Sequence, residues 1–220
     1  MVAPDPSVVG PRGGDQPATD APGDDVTARR RRAALAGHTG DTVTARDALG
    51  DAAGTVRATA LGALDRTGDL TDADLRSALS DPDPGVRRRA AELAGVRPGV
   101  EVAALLGDPD PSVVEMAAWT LGEQGSLAAV PALADLSSAD GGHREPLCRE
   151  AAVAALGAIG DPGGLPAVLA ALDDKPAIRR RAAVALAAFE GPEVDAALER
   201  CLGDRDWQVR QVAEDLLAGG

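Results

Sequence analysis

The feature that most limits what this chain can fold into is a phrase it repeats along most of its length. Residues 81–95 read DPDPGVRRRAAELAG, and residues 108–122 return as DPDPSVVEMAAWTLG. Taking the first valine of that phrase as an anchor aligns Thr27, Val56, Val86, Val113, Cys148, Ile178 and Val209, with Thr27 a worn first copy, at spacings of 29, 30, 27, 35, 30 and 31 residues. A period in this range marks a stacked array, because one such unit cannot bury its own apolar face.

Each column has a physical reason. Asp83, Asp110 and Asp206 stand three residues before the anchor, and Pro84, Pro111, Pro146 and Pro176 stand two before it. An acidic N-cap satisfies a free backbone N–H and proline at the first helical position presets φ, so these pairs start helices. Alanine follows at anchor plus four (Ala60, Ala90, Ala117, Ala152, Ala182, Ala213) and leucine at plus eight (Leu64, Leu121, Leu156, Leu186, Leu217), all on one helical face. Gly40, Gly68, Gly125 and Gly160 then stop the helix, and a second, shorter apolar helix follows in each unit, such as 165–172 and 194–202. Every unit therefore reads as a helix hairpin.

Two further columns are polar. Asp51, Asp81, Asp108, Asp173 and Asp204 precede the anchor by five residues, and Arg57, Arg87, Arg149, Arg179 and Arg210 follow it by one. At these columns the chain resembles the HEAT-repeat superfamily, in the short bacterial and archaeal type related to phycobilisome-lyase repeats. That type carries D-x-x-x-x-V-R-x-x-A-x-x-A-L-G-x-x-G-D, which residues 51–220 match in most units. The resemblance implies that the aspartates and arginines form a hydrogen-bonded ladder from unit to unit; a binding role for the arginines is the competing reading. Val114 replaces the arginine of the fourth unit and His143 the aspartate of the fifth, so that junction should be the weakest.

The net charge of −13 argues against a nucleic-acid partner, since phosphate binding rests on a basic surface. Arg29–Arg32, Arg87–Arg89 and Arg179–Arg181 oppose this locally and could line up as a basic stripe, with pairing to the many aspartates as the alternative. Aspartate outnumbers glutamate and Lys175 is the only lysine, a bias that fits salt-accumulating halophiles and GC-rich bacterial genomes alike.

Residues 1–25 are rich in Pro, Gly and Asp and read as a disordered tail, leaving 26–220 for the array. Within the tail, Pro4–Val9 repeats PDPSVV of 109–114 but runs into Gly10 and Pro11. The tail lacks a basic start followed by an apolar run, and no later stretch approaches a membrane-spanning length, so a cytoplasmic protein without membrane contact is expected. Cys148 and Cys201 look like small buried residues, and neither their spacing nor His38 and His143 suggests a metal.

Deoxyhypusine hydroxylases share the repeat and bind iron through His-Glu pairs, but His38 precedes Thr39 and His143 precedes Arg144. Phycobilin-lyase-like or accessory activity is the enzymatic idea that the resemblance permits. The reading is an all-α, right-handed superhelical solenoid of about six hairpins plus a terminal helix. Its expected role is a monomeric, non-catalytic scaffold without cofactor or metal, binding a protein or peptide on a concave surface lined by second helices. Trp119, at anchor plus six among Gly62, Glu92, Ala154, Val184 and Asp215, is the candidate partner contact, with packing on the adjacent unit as its alternative. Trp207 takes the proline position of the last helix as part of the C-terminal cap, and the loop 137–145, SSADGGHRE, is a further irregularity whose paired glycines suggest mobility.

Overall fold

The structure, a computed structural model, describes residues 25–219; the expected tail, apart from Asp25, lies outside them. The described residues form twelve α-helices and no strand. Seven longer helices open the units: α1 (Val26–Thr39), α3 (Gly54–Thr67), α5 (Pro84–Ala94), α6 (Pro111–Glu123), α8 (Pro146–Ile159), α10 (Pro176–Ala185) and α12 (Trp207–Gly219). Between them run the shorter second helices α2 (Thr42–Asp47), α4 (Asp72–Ala78), α7 (Val130–Ser137), α9 (Leu165–Ala171) and α11 (Pro192–Cys201).

Helix starts follow from the local sequence. Asp83 and Asp110 accept hydrogen bonds from Gly85 N and Ser112 N, with Pro84 and Pro111 in the first turn. Gly40, Gly68 and Gly160 end α1, α3 and α8 in the left-handed region at φ 75°, 80° and 67°, where a side chain would strain the backbone.

The anchors Val56, Val86, Val113, Cys148, Ile178 and Val209 are all at most 1% exposed, and the plus-four alanines Ala60, Ala90, Ala117, Ala152, Ala182 and Ala213 are fully buried. Each buried aliphatic anchor contributes about 1.5–3 kcal/mol relative to an exposed one. One apolar cluster extends from Ala36 to Ala213, as stacking of units requires, and Ala91, Leu105, Val113 and Ala117 form a smaller cluster of their own where the third unit meets the fourth. Small residues let successive first helices close up: a Cβ on Gly37, Gly122 or Gly157 would stand 2.7, 3.0 or 2.9 Å from Cα of Ala63, Ala155 or Ala185. Where the third unit meets the fourth, Thr120 stands at anchor plus seven, the place of Ala63, Ala155 and Ala185 in other units; it is fully buried and donates Oγ1 to Ala91 O at 2.8 Å.

The structure departs from the expected hairpins in two places. The first unit's anchor is Ala28 and not Thr27, which is exposed; Asp25 caps α1 three residues before Ala28, as Asp83 does before Val86. The third unit has no second α-helix, only a 3-10 segment at Ala103–Gly107. Pro98 and Gly99 fall where that helix would begin, and the 27-residue spacing leaves too little chain for it. Side chains hold the replacement loop: Gln124 Nε2 donates to the carbonyls of Ala94, Arg97 and Val100 at 2.9, 3.3 and 3.2 Å, and Arg76 donates to Gly99 O at 2.9 Å. The loop 137–145 is also tied down. His143 N donates to Leu136 O at 3.1 Å, and Gly142 sits against Ser138 where a Cβ would strike backbone.

Candidate functional site

Each arginine that follows an anchor, except Arg210 in the last unit, reaches forward to an aspartate at the start of the next unit. Arg57 Nε and Nη2 donate to the two Asp81 carboxylate oxygens at 2.8 and 2.6 Å, and Arg87 does the same to Asp108 at 2.7 and 2.8 Å. Arg179 closes on Asp204 at 3.0 and 3.1 Å. The remaining Nη1 turns back to its own unit, onto Asp51 O from Arg57 and Asp81 O from Arg87, both at 2.8 Å. The aspartates also accept from their own turns, as Asp81 does from Asp83 N and Asp204 from Asp206 N. The arginine hydrogen bonds hold the Asp108, Asp174 and Asp204 carboxyls below their ordinary range, and the partner carboxylates raise the arginines. Arg210 donates to Asp204 O at 2.7 Å.

Three positions differ from the expected columns. Arg149 pairs with Asp174, at 2.8 and 2.9 Å, and Asp173 is exposed beside it. The turn before α10 is one residue shorter than its counterparts: Asp174 lies two residues before Pro176, where Asp81 lies three before Pro84, so the ladder position falls one residue later. Arg29 also belongs to this set, reaching Asp51 at 2.8 and 3.3 Å, a consequence of the shifted first anchor. Between α6 and α8 there is no such pair. Val114 is fully buried there, Arg149 Nη1 turns back to His143 O, and Cys148 Sγ contacts Pro111 O at 3.3 Å.

Two grooves on the described surface are lined by first helices, away from the second helices expected to line a binding face. A groove of about 520 Å³ runs between α6 and α8, with Glu92 of α5 and Arg181 of α10 at its margins. Trp119 is 46% exposed in it, beside Met116 and Leu147. One edge of the indole rests on Gly95, where a Cβ would stand 3.3 Å from the ring, so the side chain both packs on the neighbouring unit and faces the groove. Glu92, Glu115, Glu123 and Glu150 rim this space. An apolar floor with a carboxylate rim suits an apolar side chain flanked by cations. Trp207, in the first turn of α12, is 63% exposed.

The three basic runs do not form a continuous stripe. Their leading members Arg29, Arg87 and Arg179 turn into the ladder pairs, and in the third run Arg180 meets Asp206 at 3.2 Å and Arg181 meets Glu150 at 3.5 Å. Arg30, Arg88 and Arg89 of the first two runs instead join Arg66 in a second groove, of about 420 Å³, between α1, α3 and α5. Cys148 and Cys201 are buried, and burial pushes the Cys148 thiol up to about 11. Among the described residues no cluster of His, Cys, Asp or Glu is arranged to hold a metal ion, and no helix is long and apolar enough to cross a membrane.

The sequence matches the family of HEAT repeats over residues 73–145 and 141–218. Among solved structures the chain is similar to the YibA protein of Escherichia coli, with a TM-score of 0.59, 16% identity, and coverage of 91% of this chain and 77% of that one. It is similar also to the CpcE–CpcF complex of phycocyanin lyase from Nostoc sp. PCC7120, with a TM-score of 0.56, 23% identity, and coverage of 94% and 81%. An engineered protein matches with a TM-score of 0.56 at 18% identity over 82% of this chain and 98% of its own. These likenesses are likenesses of fold. No curated protein matches the sequence.

Proposed function

The chain belongs to the HEAT-repeat family, and from that premise we propose that it is a non-catalytic, monomeric scaffold of the cytoplasm that holds a partner protein in the groove around Trp119. The observation that carries this reading is the half-exposed tryptophan in a preformed apolar groove, beside Met116 and the exposed Leu147. A large aromatic that is partly free of its own core is the kind of side chain that dominates interface energies. The glutamates around it favour a partner segment that carries an apolar anchor next to lysine or arginine. In this reading the Asp/Arg pairs are structural, holding unit to unit so that the groove keeps its shape.

The test is affinity capture from the source lysate with wild type and Trp119→Ala side by side, followed by reconstitution with the purified captured protein. A protein that binds wild type and loses at least tenfold in affinity for the variant, about 1.4 kcal/mol, with the variant still folded by circular dichroism, supports the reading. A protein that binds both equally moves the contact elsewhere. A second reading, an accessory or lyase-like protein of tetrapyrrole chemistry, rests on the solenoid shared with the phycocyanin lyase complex. It requires the purified protein to retain a chromophore, which visible absorption detects.

A further inference from the structure

The groove between α1, α3 and α5 differs in chemistry from the Trp119 groove. It is lined by Arg30 of α1, Arg66 of α3, and Arg88 and Arg89 of α5, and no carboxylate lines it. Two of these guanidinium groups are carried across a neighbouring helix by a missing side chain. A Cβ on Gly37 would stand 3.1 Å from Arg66 Nη1, and a Cβ on Gly62 would stand 2.7 Å from Arg89 Nη2. Arg89 shares its charge with Glu92 at 2.9 Å, while Arg30, Arg66 and Arg88 have no ion pair among the described residues. In a protein of net charge −13, whose ladder arginines Arg57, Arg87, Arg149 and Arg179 are each matched to a carboxylate, three cations without an ion pair facing one groove call for a ligand.

We propose that this groove binds an acidic peptide segment of a partner protein, a short run of carboxylates that the arginine forks grip in pairs. Guanidinium and carboxylate are matched in geometry as well as charge. A nucleic acid fits less well: His38 is the one ring in the groove lining, with no phenylalanine, tyrosine or tryptophan beside it to stack on successive bases, and a long polyanion would leave the basic groove for a surface of its own sign. The assignment rests on the protein-binding reading of the molecule and adds to it a second contact of opposite charge. Glu92 lies between the two: it lines the Trp119 groove and pairs with Arg89 of the basic one, so a partner spanning both would present an acidic run on one side and an apolar, basic segment on the other.

The test uses the full chain and fluorescence anisotropy with a short labelled Glu-rich peptide, the same peptide with Gln for Glu, and a labelled single-stranded oligonucleotide. The Glu-rich peptide should bind, the Gln peptide should not, and binding should weaken as salt rises. Arg66→Glu/Arg88→Glu should lose about tenfold in affinity, on the order of 1.4 kcal/mol. Arg200→Glu/Arg205→Glu, which makes the same charge change on exposed residues elsewhere, should lose less than about twofold, and Trp119→Ala should bind the peptide as wild type does. Circular dichroism melts confirm that each variant is folded. Equal binding of the two peptides, equal losses in the two charge-reversal variants, or tighter binding of the oligonucleotide would overturn the proposal. If the peptide fails while Trp119-dependent capture persists, the groove assignment alone falls; if capture fails while the peptide binds, the Trp119 reading falls.

Discussion

Arg149 and Asp174 lie fork to fork, Nε to Oδ2 at 2.8 Å and Nη2 to Oδ1 at 2.9 Å, with each side chain less than a tenth exposed. Removing one member of so enclosed a pair strands the other's charge away from water, so Asp174→Ala is expected to cost about 3 kcal/mol. Asp173→Ala, on an exposed neighbour, should stay within about 0.5 kcal/mol. Urea denaturation of the two variants separates them, and a larger loss at 173 would refute the pairing.

That contrast also marks where the sequence was readable. The anchors were legible because every unit must present the same face to its neighbours, so Val56, Val86 and Ile178 recur at nearly fixed spacing and are all buried. Asp173 and Asp174 are adjacent and chemically identical. Only counting back from Pro176 shows that the turn has lost a residue, and counting back from the anchor picks the wrong one. Arg29 is hidden by the same kind of slip, since the anchor spacing points to Thr27 although Asp25 stands at the capping distance from Ala28. The two grooves were less accessible still. They are assembled from residues on successive helices, and the glycines that admit Arg66 and Arg89 read in the sequence only as small residues.

The missing pair between α6 and α8 can be built. Val114→Arg alone places a guanidinium in a fully buried site opposite His143 and should cost about 3 kcal/mol or more. Adding His143→Asp supplies the carboxylate found in the other units, and the double variant should recover at least about 1 kcal/mol of that loss. A double-mutant cycle by chemical denaturation measures the coupling; additive losses would mean that the α6–α8 junction cannot accept the pair's geometry.

Acid should unlock the array through these carboxylates. Hydrogen bonds from Arg87, Arg149 and Arg179 hold Asp108, Asp174 and Asp204 below their ordinary 3.8 in the folded protein. A carboxyl lowered on folding stabilises the native state above its unfolded value, and that contribution is lost as pH falls through the lowered one. Melting temperature should therefore be flat on this account from neutrality to about pH 5 and fall below about pH 4. Asp108→Asn should flatten the acid limb while lowering stability at pH 7. An unchanged acid limb in that variant would remove Asp108 from the titrating set.

The excess of negative charge sets a salt dependence of the opposite sense to that of an exposed ion pair. Raising ionic strength from about 0.1 M to about 1 M shortens the Debye length from about 10 to about 3 Å. Exposed like charges of a chain at −13 then stop repelling one another, while the enclosed Arg149–Asp174 contact is screened much less. The melting temperature should rise with sodium chloride. A salt-independent value would mean that the acidic surface is already neutralised by its own arginines.

Two helical glycines give the sharpest test of how the first helices meet. At Gly157 a Cβ would stand 2.7 Å from Ala185 Cβ and 2.9 Å from its Cα, so the alanine variant must push α10 away from α8. Overpacking of this kind costs about 1–3 kcal/mol, against a gain in helix propensity of about 1 kcal/mol on replacing glycine, and net destabilisation is expected. At Gly62 the new methyl would meet only the far end of Arg89, which can swing aside, so Gly62→Ala should gain up to about 1 kcal/mol. The same substitution evicts the Arg89 guanidinium from the basic groove, so it should weaken the Glu-rich peptide while raising the melting temperature. Stability and binding would then move in opposite directions at one residue, which a glycine kept only for helix packing would not produce.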